Sequence, residues 1–505
     1  MIDQIVTDIQ SLGVRVGNGV LRRLGGAGPA DAGTFLIKDR AVNVPTASPF
    51  VSASAYSLRT EEEKVFLCKD GSILCPVELI PRPRFYDRTT SDATPCSKIA
   101  LLHGKDCLAS TVLQTCIYWH SESCCRFCGI ELSLKNHQTI SLKKPEQLAE
   151  TAFLANALDG VRHVVLTTGT ARPPGAEISI LAKSCSAVKR AVNLPVHAQI
   201  MPPPDLEALH DLKECGVDTV GIHIETLDRE VLARIAPAKA AIGLKRYEAA
   251  WKAAVEIFGP NQVSSFLIAG IGEDPDSIAS GSEYLADLGV YPFVVPLRPI
   301  PGSMMEDALP PEPEIMHQVY EKTACILQRT GLSADRCLAG CVRCGACSAL
   351  PLYERPEPGL TCHRARTCSE VKQAFDVRRR VFVEEQKLFA KSDQDENDLR
   401  SIHLVAKCGQ EVVGTVRVFP NGDGKGHWIG GRLAVKKEYR ASGAGELLVR
   451  TAVNTVKKNG CTHFTAHIQA ENTPFFSRLG WKTVEGPVLY FGKLHHVMAA
   501  TLDGT

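Results

Sequence analysis

The sequence has almost no net charge and no long hydrophobic run. Its 57 Lys and Arg residues balance 56 Asp and Glu residues, and a formal net charge of +1 gives no overall electrostatic case for a nucleic-acid coat or an anionic membrane surface. No stretch of about 18 apolar residues could cross a membrane, and the start, Met1 to Ile5, lacks the basic segment of a secretory signal. We therefore expect a soluble, cytoplasmic protein with small-molecule substrates and no membrane partner. Binding to nucleic acid would require a local basic patch.

The composition is also free of extremes. With 44% hydrophobic residues, 22% charged residues, 40 Gly and 30 Pro, it matches ordinary globular usage. This excludes collagen-like, coiled-coil and wholly disordered classes of protein. At about 150 residues per domain, the 505 residues predict two to four domains.

Disulfide bonds are not expected, because a reducing cytosol keeps thiols reduced. The 19 cysteines therefore indicate metal ligation, redox chemistry or simple burial. Eight of them form two groups, one within Cys116 to Cys128 and the other within Cys337 to Cys347. The remaining eleven (19 minus 8) are scattered, as buried small hydrophobic residues usually are.

Short apolar runs alternate with amphipathic helices through the middle of the chain. Such repeated strand-helix units predict an α/β fold with a parallel sheet, and six units are too few for the eight that close a full barrel. We therefore predict a partial (β/α)6 barrel. The six predicted strands are Thr111 to Tyr118, His163 to Thr168, Pro195 to Met201, Thr219 to Glu225, Val263 to Ala269 and Pro292 to Leu297. The predicted domains are an N-terminal extension (1–100), the partial barrel (101–330), a Cys-rich connector with a metal site (331–360) and an α+β domain (361–505).

The first cysteine group follows the first predicted barrel strand, where α/β folds bind ligands. Three thiolates from one loop could hold an iron-sulfur cluster and leave one iron open. Cys125 to Cys128 resembles the end of the radical S-adenosylmethionine (SAM) motif, although Ser121 stands where its first cysteine is usual. Cys116, Cys125 and Cys128 are the favoured ligands of a [4Fe-4S] cluster. Pairing Cys116 with Cys124 instead, a zinc site and buried thiols are the alternatives.

The resemblance to radical SAM enzymes implies roles for residues at the ends of the barrel strands. It implies that the aromatic residue before the last cysteine and the ends of the second, fourth, fifth and sixth strands surround SAM. A flavodoxin or ferredoxin would be the electron donor, and the product would be a 5′-deoxyadenosyl radical. The residues implied in SAM binding are Phe127, Thr168, Gly169, Thr170, Glu225, Gly270, Gly272 and Arg298.

The second cysteine group places four thiols within eleven residues, which is a dense metal-binding spacing. Cys341, Cys344 and Cys347 resemble a ferredoxin run, and Cys337 is expected to complete the set. We predict a second [4Fe-4S] cluster here, with structural zinc as the alternative, since the Elongator catalytic subunit is thought to hold zinc between its two domains.

The C-terminal module contains a glycine-rich turn that opens a helix. Free backbone N–H groups at a helix N-terminus form an anion site suited to a pyrophosphate. The spacing from Arg440 to Gly445 resembles the acetyl-CoA signature of the GNAT superfamily of N-acetyltransferases. The resemblance implies CoA contacts through the backbone of Leu433 and Val435, with Tyr490 as general acid; a packing role for Tyr490 is the alternative. The signature residues are Arg440, Ser442, Gly443, Ala444 and Gly445.

The order of the two modules resembles two families. One is the Elongator catalytic subunit, which modifies wobble uridine in tRNA. The other, closer in local sequence, is the radical SAM protein of bacterial nitrilase gene clusters, linked to nitrogen starvation and cyanide assimilation, whose neighbour is a separate acetyltransferase. The similar segments are Cys125 to Leu132, His223 to Leu227, Leu297 to Gly302 and, for the acetyltransferase, Val381 to Gln386. A fusion of that pair predicts a bifunctional enzyme in nitrogen or nitrile metabolism; the alternatives are a tRNA-modifying enzyme and a non-enzymatic iron-sulfur sensor.

Overall fold

The computed structural model describes residues 2–17, 32–62, 64–354, 360–408, 411–422, 426–440 and 442–502. The chain forms two compact units, Met1–Glu354 and Arg355–Thr505. In the described residues, no helix combines the length and the apolar character needed to cross a membrane.

The N-terminal unit begins with a helix and a small antiparallel sheet. A tight hairpin turns at Asp70 and Gly71, where Lys69 of one strand pairs with Ser72 of the next. The strand order in the sheet is β2-β1-β5-β4-β3. The elements are α1 (Ile2–Leu12), β1 (Ala32–Ile37), β2 (Arg40–Pro45), β3 (Tyr56–Glu61), β4 (Lys64–Lys69) and β5 (Ser72–Leu79), with 3-10 turns at Pro49–Ala53 and Arg84–Asp87.

A seven-stranded sheet of order β12-β11-β10-β9-β8-β7-β6 forms the partial barrel. Strands β7 to β12 run parallel in sequence order, and β6 adds an antiparallel edge. The parallel strands are near-continuous apolar runs because helices cover the outer face of the sheet. The strands are β6 (Leu101–His103), β7 (Cys107–Leu113), β8 (His163–Thr168), β9 (Val196–Ile200), β10 (Thr219–Ile222), β11 (Val263–Ala269) and β12 (Tyr291–Pro296).

All six predicted barrel strands are present, but the first was placed too late in the sequence. Strand β7 ends at Leu113, whereas the prediction ran to Tyr118. Gln114 donates its backbone N–H to the Ser141 carbonyl, which draws the chain away from the sheet. Residues 114–118 therefore belong to the loop that carries the first cysteine group.

Helices connect the barrel strands, and glycines with positive φ end two of them. Gly160 and Gly259 follow α4 and α9 with φ of 67° and 91°. The helices of this unit after α1 are α2 (Cys96–Ile99), α3 (Leu132–Lys135), α4 (Pro145–Asp159), α5 (Ala176–Ala191), α6 (Ala208–Glu214), α7 (Arg229–Ile235), α8 (Pro237–Ile242), α9 (Leu244–Phe258), α10 (Pro275–Asp287), α11 (Pro313–Thr330), α12 (Gly340–Cys344) and α13 (Leu350–Tyr353), with a 3-10 turn at Ala334–Arg336.

The C-terminal unit is an α+β domain built on a second seven-stranded sheet of order β13-β14-β15-β16-β17-β19-β18. Its strands are β13 (Thr361–Arg364), β14 (Ile402–Cys408), β15 (Glu411–Pro420), β16 (His427–Val435), β17 (His463–Gln469), β18 (Trp481–Tyr490) and β19 (Lys493–Ala500). Its helices are α14 (Cys368–Arg378), α15 (Ala444–Lys458) and α16 (Thr473–Arg478), with a π-helical segment at Arg379–Glu385 and 3-10 turns at Glu396–Leu399, Lys437–Tyr439 and Ala470–Asn472.

The first helical region of this unit has two segments. Regular α-helix ends at Arg378, and the chain continues to Glu385 as a π-helix. Hydrogen bonds to the fifth residue widen the turn, which is uncommon and often occurs at functional sites. The buried side of α15 packs Leu448, Val449 and Ala452 into the core of this unit.

Candidate active sites

A cavity of about 520 Å³ occupies the inside of the partial barrel. The predicted cluster ligands Cys116, Cys125 and Cys128 all line it, together with Cys124. The ends of the barrel strands supply the other walls. The structure therefore brings the first cysteine group to the place where α/β barrels bind ligands.

Backbone contacts fix the cysteine-bearing loop against the second barrel strand. Gly169 donates its N–H to the Leu113 carbonyl at 2.8 Å, and Ile117 donates to the Thr170 carbonyl at 3.0 Å. The approach is so close that a Cβ added to Gly169 would lie 2.1 Å from the Thr115 carbonyl oxygen. A glycine is therefore required here for Cys116 to reach the cavity.

Burial dominates the electrostatics of the thiols of this loop, and the nearby Lys239 opposes its effect on the pKa of Cys125 only in part. Burial raises the pKa of Cys125 to about 11 and that of Cys128 to about 12, and neighbouring cysteine sulfurs raise the latter further. Across the described ranges, no three His, Cys, Asp or Glu side chains stand in metal-holding geometry. The donor set nonetheless fits a [4Fe-4S] cluster, because three thiols from one loop face one cavity and a positive cluster core would stabilise their thiolates.

A buried ion pair lies in the wall of the same cavity, near Cys125. Lys239 on α8 donates to Glu225 Oε1 and to the His223 carbonyl, both at 2.6 Å. Glu225 adopts a left-handed φ of 77°, and its second carboxylate oxygen is buried without a hydrogen-bond partner. That oxygen can accept from a hydroxyl or amino group of a bound cofactor, which fits the predicted role of Glu225. Sequence reasoning missed Lys239, which carries no motif and lies 14 residues from its partner.

The structure places most of the other predicted SAM-binding residues in the cavity wall. Phe127, the Thr168–Gly169–Thr170 segment and Arg298 line it. Gly270 and Gly272 do not; they lie against Pro311 and Arg234 respectively, so their contact with SAM stays a prediction. Arg298 is engaged with the carbonyls of Asn43 at 2.8 Å and Cys347 at 3.4 Å.

The second cysteine group reaches the same cavity from another side. Cys341 and Cys347 line the cavity, whereas Cys337 and Cys344 do not. The Cys337 thiol is buried and donates to the Ala339 carbonyl at 3.1 Å. Burial raises the pKa of Cys337 to about 11. The four predicted ligands therefore do not all line the same cavity.

The C-terminal unit has a cavity of about 1020 Å³ where two parallel strands separate. β16 and β17 pair from His427 to Gly430, and no pairing between them is recorded beyond Gly430 in the described residues. The predicted backbone positions Leu433 and Val435 line the cavity at this opening. Backbone groups of β16 that face the gap are available to an extended ligand.

The glycine-rich turn lies at the start of α15, as predicted. Gly443 caps the helix with φ of 83°, and Ser442 Oγ accepts from the Ala444 N–H at 3.3 Å. Arg440 and Gly445 line the cavity, while Ser442, Gly443 and Ala444 lie outside its lining. The Arg440 guanidinium pairs with Glu385 at 2.6 and 2.8 Å, at the end of the π-helical segment.

Tyr490 lines the same cavity near the end of β18. Its ring stacks on His467 at 5.0 Å and meets His495 edge-on at 5.5 Å. Burial lowers the pKa of His467, and the neighbouring His495 lowers it further. The predicted general acid therefore lies at the ligand site beside two imidazoles, neither of which the sequence pattern singled out.

A network of arginines and aspartates forms another wall of this cavity. Arg417 donates to both carboxylate oxygens of Asp395 at 2.7 and 2.6 Å, and Arg432 donates to Asp395 at 3.2 Å. All three residues line the cavity. Sequence reasoning missed them because they lie on separate elements and follow no recognisable spacing.

Known proteins resemble each unit separately. The model of the radical SAM superfamily matches residues 122–280, and that of the acetyltransferase (GNAT) family matches residues 369–481. The uncharacterized N-acetyltransferase YjcF of Bacillus subtilis (strain 168) is 30% identical over 120 residues, which are 24% of this chain and 84% of that protein. Bacteriochlorophyllide c C-7(1)-hydroxylase of Chlorobaculum limnaeum is 29% identical over 133 residues, 26% of this chain and 33% of that protein.

One solved structure similar to this chain is that of Escherichia coli ElaA. It has 22% sequence identity and a TM-score of 0.26, and the match covers 28% of this chain and 97% of ElaA.

Proposed function

This chain belongs to the GNAT acetyltransferase family through its C-terminal unit and carries a radical SAM domain before it. We propose that it is an enzyme with two activities and that both act on small molecules of nitrogen or nitrile metabolism. The observation that carries the proposal is the barrel cavity of about 520 Å³, into which Cys116, Cys125 and Cys128 all face. Ligand pockets of about 300 to 1,000 Å³ hold one drug-sized molecule. A cavity of about 520 Å³ is therefore large enough for one molecule of the size of SAM.

Different residues around the barrel cavity have different proposed roles. A reduced [4Fe-4S] cluster with SAM supplies a 5′-deoxyadenosyl radical when both are bound, and a flavodoxin or ferredoxin is the electron donor we propose. Cys116, Cys125 and Cys128 would hold the cluster. Glu225, fixed by Lys239, would accept a hydrogen bond from SAM through its unpartnered oxygen, and the apolar wall around Phe127 would exclude water.

The C-terminal cavity is suited to an amine acceptor. Acetyl-CoA supplies the acetyl group when bound. The opening beyond Gly430 would take the pantetheine chain, and the helix start at Gly443 its pyrophosphate. The Glu396 carboxylate lines the cavity and would attract an ammonium group, whereas Asp395 is held by Arg417 and Arg432. Tyr490 would protonate the leaving thiolate.

Local sequence similarity supports the metabolic assignment. The segments His223 to Leu227 and Val381 to Gln386 resemble the radical SAM protein and the acetyltransferase of nitrilase gene clusters. The second cysteine group is part of the proposal as a further metal centre, either a [4Fe-4S] cluster or zinc.

The radical activity is tested by 5′-deoxyadenosine production. Full-length protein is reconstituted anaerobically with iron and sulfide, reduced with dithionite and supplied with SAM. We expect Cys128→Ser to lower production about 100-fold or more, because the cluster loses a ligand. Cys124→Ser is the matched control from the same loop and is expected to keep production within about threefold. Absence of 5′-deoxyadenosine from wild-type protein that holds its cluster would contradict the proposal.

The acetyl transfer is tested with Tyr490→Phe and a panel of small amines. We expect kcat to fall about 100-fold, since a positioned general acid contributes roughly 10²- to 10⁴-fold, while KM for acetyl-CoA changes little. Tyr439→Phe, outside the cavity lining, is the control and should leave kcat within about twofold. An unchanged kcat in Tyr490→Phe would assign Tyr490 to packing.

A further inference from the structure

A second group of sulfur atoms lies at the N-terminal ends of the barrel strands. Cys107 is the first residue of β7 and pairs in register with His163, the first residue of β8. The Cys116 loop follows the opposite end of β7. The floor of the barrel, where the strands begin, therefore carries its own thiol, which belongs to neither dense cysteine group.

The cysteine run of the connector contacts this floor directly. Cys344 packs against the buried cluster that contains Cys107, and Cys107 pairs in register with His103 on β6. His103 reaches the Cys344 sulfur with Nδ1 and the Cys347 sulfur with Nε2, each at 3.3 Å. Between His103 and Cys107 the chain turns at Gly104, where an added Cβ would lie 2.6 Å from Cys344 Sγ. The turn is thus built to let Cys344 approach β7.

Hydrogen bonds distinguish Cys337 from the rest of the run. Gln199 donates to the Cys341 sulfur at 3.4 Å, and Arg298 points a guanidinium nitrogen at the Cys347 sulfur at 3.7 Å. Donors aimed at sulfur stabilise the negative charge of a metal-bound thiolate. The Cys337 thiol donates to the Ala339 carbonyl at 3.1 Å, and among the described residues no side-chain nitrogen contacts its sulfur, whereas His103 also contacts that of Cys344.

We infer that Cys107, Cys341, Cys344 and Cys347 hold a second iron-sulfur cluster on the barrel floor and that Cys337 is not a ligand. The inference rests on the second metal centre of the proposed function and names its ligands. Three thiols at two-residue spacing with a fourth from elsewhere in the chain is a ferredoxin-like set. Cys341 and Cys347 line the barrel cavity, so the cluster would face it opposite the first cysteine group.

The test uses full-length protein in which Cys116, Cys125 and Cys128 are all replaced with Ala. Iron that remains after anaerobic reconstitution with iron and sulfide then belongs to the second site. We expect about four irons per chain and an electron paramagnetic resonance signal on reduction with dithionite. Adding Cys337→Ser should keep the iron within about 20%, and adding Cys107→Ser should remove at least about three quarters of it.

Cys337 and Cys107 are a matched pair, since both are buried with 6% and 1% of their surface exposed. Loss of iron in Cys337→Ser would overturn the proposed ligand set. This result tests the ligand set even if Cys107→Ser fails to fold, and thermal unfolding would show whether that variant folds. Stoichiometric zinc after reconstitution, or no metal in the triple variant, also overturns the inference. If the full-length protein binds iron at the second site but produces no 5′-deoxyadenosine, this result contradicts only the proposed radical activity and leaves the ligand set of the second cluster intact.

Discussion

Replacing Gly169 with Ala is expected to abolish the radical SAM activity while leaving the fold intact. The added Cβ would lie 2.1 Å from the carbonyl oxygen and 2.7 Å from the carbonyl carbon of Thr115, and 3.0 Å from Cys116 Cβ. These are mostly backbone atoms, which cannot rotate away as a side chain would. The loop must therefore move outward, and it takes the Cys116 thiol with it.

A displacement of this size is enough to disrupt a cluster site. Misplacing a reacting group by about 1 Å can cost about 100-fold in rate, and we expect 5′-deoxyadenosine production to fall by at least that factor. Iron bound at the first site should fall in parallel. Production is measured by chromatography after anaerobic reconstitution, and iron is measured by mass spectrometry in the same samples.

Gly17→Ala is the matched control for this substitution. Gly17 lies in the same unit, and an added Cβ there would meet nothing within 4 Å. We expect this variant to match the wild type in iron content and production. If Gly169→Ala kept both at the wild-type level, Cys116 would not be a ligand, and Cys124 would become the candidate for the third thiolate.

The barrel could be predicted from the sequence because its signals are local. Each parallel strand is a short apolar run, and glycines mark the ends of two of the connecting helices, α4 and α9. The first strand was placed too late because Gln114 to Tyr118 continue the apolar pattern. Only the long-range bond from Gln114 to Ser141 shows that the chain has already left the sheet.

The parts of the sites that sequence reasoning missed depend on contacts between distant residues. Cys107 lies alone in the sequence, which predicts only a buried hydrophobic residue, yet Cys344 from far along the chain packs against its cluster. Lys239 lies on a short helix with no motif, yet it neutralises Glu225. Spacing in one segment cannot show which distant thiol or ammonium group folds against it.

The same limit applies to the charges of the C-terminal unit. Arg378 and its partners Asp393 and Asp398 lie in a charged stretch of sequence, which predicts a solvent-exposed surface. In the structure, however, only 1% of the Arg378 side chain is exposed. Its guanidinium donates to Asp393 at 2.7 Å and to Asp398 at 2.6 and 3.0 Å. Burial would raise the pKa of Asp398, but hydrogen bonds from Arg378 and Arg417 hold it well below its usual value.

Replacing Arg378 with Met should therefore destabilise the C-terminal unit strongly. Removing one partner of a buried ion pair leaves an uncompensated charge and costs about 3 to 5 kcal/mol. Methionine fills most of the same volume, so the loss reports charge rather than a cavity. The measurement is native-state hydrogen exchange on the full-length protein, comparing the free energy of opening of α14 and β14 between variant and wild type.

The control is the adjacent Arg379→Met. Arg379 pairs with Glu384 on the surface, with 55% of its side chain exposed, and an exposed pair contributes about 0 to 1 kcal/mol. An equal loss of protection in both variants would mean that side-chain packing, and not the buried charge network, stabilises this unit.

The pH dependence of the stability of the wild-type C-terminal unit gives an independent measure of the same charge network. Because folding lowers the pKa of Asp398, its contribution is complete above the unfolded value of 3.8 and is lost as the pH falls through the folded value. In Arg378→Met one of its two arginine donors is gone, so the folded pKa should rise toward the unfolded one. The acid-induced loss of protection should then be smaller in the variant than in the wild type, since part of that stability is already absent at neutral pH.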